Sequence, residues 1–282
     1  MVSPVSALQA GSVQGLAGHR VGTSIAAYGE REAILYALAV GARADEIGLV
    51  YERELRVLPT YGLALGLWAV ESVGALGAYD PVQTLHVSQT LDVHRALPRR
   101  GEIEMESSVA AVWDKGSAAL VEISVSSEFF DAVYGIWVPG AGGFGGERGP
   151  SARVAEETTD PELRLELETG SEQAALYRLT GDLHPLHVDP EVAVAAGFER
   201  PILHGLCVLG ACALSLARAA GEDPAAVGAL AARFAAPVYP GETLAIAGWR
   251  DEEELGVIRF NAAAADSAVL SGGRIELERG RG

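Results

Sequence analysis

Lysine is almost missing from this 282-residue chain: Lys115 is the only one, the remaining basic residues being arginines. Lysine and arginine together number 21 against 38 aspartates and glutamates, a formal charge of −17. A surface of that sign repels phosphate backbones and anionic lipid head groups, so neither nucleic acid nor a membrane is an expected partner. Cysteine is scarce as well. Cys207 and Cys212 lie in one apolar stretch, where helical spacing sets them too far round the surface for an easy disulfide, and buried free thiols in a reducing compartment are expected. The opening "MVSPVSALQAGSVQG" lacks the charged and apolar segments of a signal peptide. The longest apolar run, "GLALGLWAVESVGALGAY" from Gly62, is interrupted by Glu71 and by glycines, and falls short of the roughly 20 residues a membrane span needs. A soluble, cytoplasmic protein is expected.

Hydrophobic residues are plentiful, at 49% of the chain, and its length suits one large domain or two of about 140 residues. The sequence favours two, because it repeats. "AILYAL" from Ala33 returns as "AALYRL" from Ala174, "LPTYGLALG" as "ILHGLCVLG", and "RALPRRGEI" as "APVYPGETL", with offsets of 140 to 143 residues in the same order. Chance matches would scatter, so the pattern argues for tandem duplication. A Gly- and Pro-rich stretch from Pro139 reads as the seam, giving a first unit over 1–138, a linker over 139–160 and a second unit over 161–282. Each unit contains an apolar stretch fitting a buried helix of about four turns, Gly62 to Gly77 and Gly205 to Ala220. Strand-like segments follow it: "EIEMESSVAAVW", "AALVEISVSSEFF" and "YGIWVPG", then "ETLAIAGW" and "GVIRFNAAA". One buried helix wrapped by antiparallel strands, twice over, is an α+β arrangement whose sheets could pair edge to edge.

"YRLTGDLHPLHVDP" packs Asp182, His184, His187 and Asp189 into eight positions, fenced by Pro185 and Pro190. Two histidines three apart with flanking carboxylates suit a divalent metal, and the same groups could instead serve as turn and helix caps. At an offset of 141 residues Gly41 stands opposite Asp182 and Glu46 opposite His187, so any chemistry belongs to the second unit.

The stretch "YRLTGDLHPLHVDPEVAVAAGFERPILHGLCVLG" resembles the signature of the R-specific 2-enoyl-CoA hydratases, the hydratase 2 or MaoC-like dehydratase family that also supplies the hydratase part of the peroxisomal multifunctional enzyme. The likeness extends through "LHVSQTLDVHRALPRRGEI", "VWDKGS", "GAGGFGG" and "RFAAPVYPGETL". It implies a double hot-dog fold and reversible hydration of trans-2-enoyl-CoA to the (R)-3-hydroxyacyl-CoA. It also implies that Asp182 and His187 activate the water, that the Gly205 N–H binds the developing oxyanion, and that His86, Lys115 and Phe234 line the acyl-CoA site with His184. His184 stands where the family usually has Asn, and Val87 where it commonly has Gly. The signature has no metal requirement, so neither metal nor cofactor is expected beyond the CoA of the substrate, and a homodimer is the expected assembly. Two other activities suit the same fold: an acyl-CoA thioesterase, and an acyl-CoA-binding protein without catalysis.

Overall fold

A computed structural model describes residues 12–150, 159–265 and 267–277. The N-terminal stretch read for a signal peptide lies outside these residues up to position 11, as does the linker over 151–158. Ten antiparallel strands form a single sheet. The first unit contributes β1 (Arg20–Tyr28), β2 (Leu85–Val93), β3 (Gly101–Asp114), β4 (Ala118–Ser127) and β5 (Phe130–Pro139). The second contributes β6 (Leu163–Glu168), β7 (Val227–Phe234), β8 (Thr243–Arg250), β9 (Val257–Ala264) and β10 (Ser267–Leu277). Their order, β1-β3-β4-β5-β2-β7-β10-β9-β8-β6, reads the same from either edge once β6 to β10 are taken as copies of β1 to β5. The two halves meet where β2 pairs with β7, from Ser88 opposite Arg233 to Asp92 opposite Ala229. This is the double hot-dog arrangement that the family resemblance implied, with the two half-sheets paired edge to edge as the repeat allowed.

The helices are α1 (Glu30–Ala39), α2 (Ile47–Val50), α3 (Tyr61–Leu65) and α4 (Trp68–Gly74) in the first unit, then α5 (Gln173–Tyr177), α6 (Pro190–Ala195) and α7 (Gly205–Ala220) in the second. The apolar composition of α7 has the expected result: eleven of its 16 residues are buried, Cys207 and Cys212 among them as free thiols. It ends at Gly221, whose left-handed backbone lets the Glu222 amide turn back to the Ala217 carbonyl.

The first unit departs from the expected four-turn helix over Gly62 to Gly77, which is broken between α3 and α4. The Tyr134 hydroxyl, buried and 2.7 Å away, donates to the Leu63 carbonyl. A continuous helix would offer that acceptor to the Leu67 amide, which turns instead to Ala64 at 3.3 Å. Gly66 makes room for the hydroxyl, since a Cβ there would stand 2.5 Å from it.

The motifs "VWDKGS" and "GAGGFGG" meet in a clasp. One Asp114 carboxylate oxygen accepts from the amides of Gly116 and Gly143 and the other from Gly145, each at 2.8 Å. These bonds hold the Asp114 carboxyl below its ordinary range. Lys115, next to it, donates its ammonium to the carbonyls of Arg148 and Pro150. Lys115 does not stand where the resemblance placed it: it is not among the residues lining the cavity that holds Asp182 and His187, and it fastens residues 148–150 of the linker to the β3–β4 turn.

Because its carboxyl is held low in the folded state, Asp114 contributes stability above the unfolded carboxyl value of about 4 and loses it as pH falls through the lower folded value. Asp114→Ala is expected to lower the thermal midpoint at pH 7, with the gap from the parent narrowing below about pH 4. Paired melts across that range check this, and equal midpoints at pH 7 would show that the clasp adds nothing.

Candidate active site

The loop that carries Asp182 and His187 is built from short caps. Tyr177 ends α5, a 3-10 turn over Arg178–Thr180 follows, and Gly181 redirects the chain at φ 143°. Asp182 Oδ1 then accepts from the His184 amide at 3.1 Å, and His184 Nδ1 accepts from the Leu186 amide at 3.2 Å. Asp189 accepts from the amides of Glu191 and Val192 and so caps α6, with Pro190 at its first position, where the missing N–H costs nothing. Four ionisable residues close in sequence thus divide by task. Asp182 and His187 line a cavity of 660 Å3, whereas His184 is exposed and Asp189 is committed to a helix end. The four-residue metal set that the spacing allowed is not assembled.

His187 is fixed by its Nδ1–H, which donates to the Ile202 carbonyl at 2.9 Å. Its Nε2 is then the lone-pair nitrogen, free to take a proton. Burial, opposed by the negative charge of Asp182, lowers its pKa below the ordinary histidine value. A carboxylate oxygen of Asp182, a ring nitrogen of His187 and one of His204 all lie within 4.8 Å of one another, close to the span of about 4.5 Å across a single water bonded to two groups. His187 and His204 are stacked, with ring centroids 3.6 Å apart and planes 25° apart. Imidazole lone pairs lie in their ring planes, and planes so nearly parallel do not bring two of them onto one shared metal ion.

Gly205 opens α7, so its N–H belongs to the first-turn amides that have no intrahelical acceptor, at the positive end of the helix. It lines the same cavity. A Cβ there would stand 3.1 Å from the Phe234 ring, so glycine keeps both the amide and the aromatic wall in place. His86, from β2, faces Phe234 at 4.8 Å between ring centroids and bonds the Ser88 carbonyl through Nε2 at 3.1 Å. Burial pushes its pKa down to about 4, leaving a neutral ring on the cavity wall. A β-bulge falls between His86 and Ser88, at Val87, and its φ is not positive, so valine is accommodated there. Leu67 of the first unit and Phe198, Ile202 and Leu206 of the second complete an apolar lining drawn from both halves.

Two features were not assigned from sequence. His204, quoted within "PILHG" but given no role, is buried under His187; a histidine where serine, threonine or aspartate usually caps a helix is the signal that could have found it. The second is the fate of the equivalent positions in the first unit. Gly41 and Glu46, opposite Asp182 and His187 in the repeat, both hold Arg218 from the last turn of α7. The guanidinium donates to the Gly41 carbonyl at 3.0 Å and through Nε to the Glu46 carboxylate at 2.5 Å. Burial raises the Glu46 pKa, but the bonds from Arg218 and from the Arg43 amide, with the charge of both arginines, together outweigh it and the net direction is down. At the positions equivalent to Asp182 and His187, the first unit thus carries an anchor for α7.

Residues 153–267 match the family model for the MaoC like domain, and residues 27–132 match that for the MFE-2 hydratase 2 N-terminal domain. The chain is 37% identical to the peroxisomal multifunctional enzyme type 2 of Mus musculus over 84% of its own length, and it spans 35% of that longer protein. It is 35% identical to the 3-hydroxyacyl-thioester dehydratase Y of Mycobacterium tuberculosis, covering 89% of this chain and 93% of that one. Among solved structures, a MaoC-like dehydratase from Phytophthora capsici superposes with a TM-score of 0.84 at 27% identity, covering 95% of this chain and 97% of that one.

Arg218→Met is expected to destabilise the fold by about 1 to 3 kcal/mol, because it strands the mostly buried Glu46 carboxylate; a urea midpoint equal to the parent's would refute the anchor. His184→Asn is expected to keep turnover within about threefold, since an amide oxygen can replace Nδ1 as acceptor for the Leu186 N–H. Initial rates of both proteins at pH 7.5 test this, and a fall beyond about tenfold would mean that the imidazole itself enters the reaction.

Proposed function

The chain belongs to the MaoC-like hydratase 2 family, and on that premise we propose that it hydrates trans-2-enoyl-CoA reversibly to the (R)-3-hydroxyacyl-CoA, in fatty-acid or related acyl-CoA metabolism. The observation that carries this reading is the convergence of Asp182, His187 and the Gly205 amide on one apolar cavity. Water alone is too weak a nucleophile for the β-carbon of a conjugated thioester. As its oxygen bonds to that carbon, one of its protons passes to the Asp182–His187 pair, and the π electrons move toward the thioester oxygen. The Gly205 N–H meets the charge developing there, and the positive end of α7 reinforces it. Return of a proton from the pair to the α-carbon completes the addition. His86 and Phe234 shape the wall against which the acyl thioester lies.

The reading includes no metal or other cofactor, which the side-by-side rings of His187 and His204 support. It includes no nucleic acid or membrane surface, which the charge of −17 supports, and among the described residues no helix is long and apolar enough to cross a membrane. A cytoplasmic location is in keeping with the likeness to the mycobacterial relative. The homodimer remains an expectation that a solution mass measurement tests, since the pairing of β2 with β7 already joins two units within one chain.

Hydration removes the conjugated enoyl-thioester absorbance and releases no thiol, whereas thioester cleavage releases free CoA and simple binding does neither. Asp182→Asn and His187→Ala are each expected to cut the hydration rate at least about a hundredfold with folding intact. Because burial lowers the His187 pKa, the rate should hold as pH falls through the ordinary histidine value of about 6.5 and decline only on the acid side of the lowered one. Release of thiol by the parent, or near-normal hydration by either variant, would overturn the assignment.

A further inference from the structure

We infer that His204 is a positioning residue for the reaction, holding the two members of the catalytic pair at their separation: its ring is the floor on which the His187 imidazole lies, and its Nε2–H tethers the main chain of Asp182. The inference rests on the reading of Asp182 and His187 as that pair.

His204 is 1% exposed and stands at the entry to α7. One face of its ring meets His187 at 3.6 Å and 25°, and another side meets Tyr177 at 4.8 Å. Nε2 lies 3.3 Å from the Asp182 carbonyl oxygen. A carbonyl can only accept, so Nε2 carries the proton and Nδ1 is the lone-pair nitrogen, which has no partner among the described residues. One side chain thus touches the ring of one catalytic residue and the backbone of the other. The chain around it is equally economical. The Ile202 carbonyl orients His187 and the Gly205 amide opens the helix, so residues 202 to 205 carry the orienting carbonyl, the floor and the candidate oxyanion donor.

The floor works because it is uncharged. Burial pushes the His204 pKa down to about 2, and the neighbouring His187 adds to this. A neutral ring can stack on His187 without opposing its protonation during turnover. It also keeps water from the buried side of His187, part of the burial that makes that imidazole harder to protonate. The other ionisable groups facing the pair are His184 on the same loop, Glu71 on α4 and the buried Tyr177 hydroxyl at the end of α5, while Arg178 acts on His204 from the loop before it.

Two variants separate the contributions. His204→Phe keeps a ring under His187 and removes the tether; kcat is expected to fall about tenfold, with KM within about threefold and the acid limb of the pH profile unmoved. His204→Ala removes floor and tether, so kcat should fall about a hundredfold. Solvent then reaches His187, its pKa rises toward the ordinary value, and the acid limb moves to higher pH. Titration of the His187 ring by NMR reads the same rise independently of turnover. A His204→Ala protein with kcat within about threefold of the parent, or one whose loss matches its folded fraction while the His187 titration stays put, would overturn the inference. If that protein does not fold, His204→Phe decides the tether, and an unchanged kcat there overturns it. Failure of the hydratase reading looks different: the parent itself would hydrate nothing, while the His187 titrations of parent and variant would still report whether His204 shields the ring.

Discussion

Everything at the site depends on one strand pairing, that of β2 with β7. It joins two half-sheets of five strands into one continuous sheet and brings a residue of each unit to the same wall. His86 comes from the first unit and Phe234 from the second, yet their rings lie 4.8 Å apart. Successive residues of a strand point to opposite faces, so a slip of one residue in this register would turn one of the two rings away from the cavity. The apolar lining, the neutral His86 and the space in front of Gly205 all follow from register at this seam. The β-bulge between His86 and Ser88 lies beside it, aiming the histidine without breaking the ladder from Ser88 to Asp92.

Duplication supplied two equivalent places, and the copies diverged into different work. In the second unit α7 runs unbroken and its first amide is offered to the cavity. In the first unit Tyr134 captures the Leu63 carbonyl, and the corresponding helix breaks into α3 and α4. Positions that hold Asp182 and His187 in one copy hold Gly41 and Glu46 in the other, where they grip Arg218. The first-unit counterpart of the proposed site therefore holds the far end of the helix whose near end faces the cavity. Such a dependence makes the two units hard to separate in function, although their strands repeat with the same order.

Much of this was legible in sequence, for reasons that can be named. The repeat was visible because short apolar motifs and glycines recur at one spacing, and α7 because sixteen residues with hardly a charge can be stable only when buried. Asp182 and His187 were singled out through their family signature, and the fold brings both to one cavity. Several strands were not legible: β7 is rich in alanine, and β10 carries Gly272 and Gly273, so the branched and aromatic residues that mark strands are sparse in both. The helix break was hidden because its cause, Tyr134, lies 71 residues from the carbonyl it binds. Lys115 was misplaced because proximity to a motif says nothing about the direction of a long side chain. His204 escaped because a lone histidine before a glycine becomes informative only once His187 is seen lying on it.

The last constraint is electrostatic and runs against the chain as a whole. A protein with a charge of −17 surrounds its histidines with a field that favours protonation, and a protonated imidazole cannot accept a proton from water. Burial acts in the opposite direction. His86 is pushed down to about 4 and His204 to about 2, and His187 moves the same way, although Asp182 pulls it back. The apolar cavity and the aromatic floor would therefore serve the proposed acid–base chemistry as well as the packing, because they keep the rings neutral in an anionic protein. His184 marks the contrast. Exposed on the same loop, it serves through a single nitrogen as the acceptor for a backbone amide, the kind of task an asparagine oxygen also performs. Two histidines three residues apart thus differ in chemistry because one is folded under the cavity wall and the other is left in water.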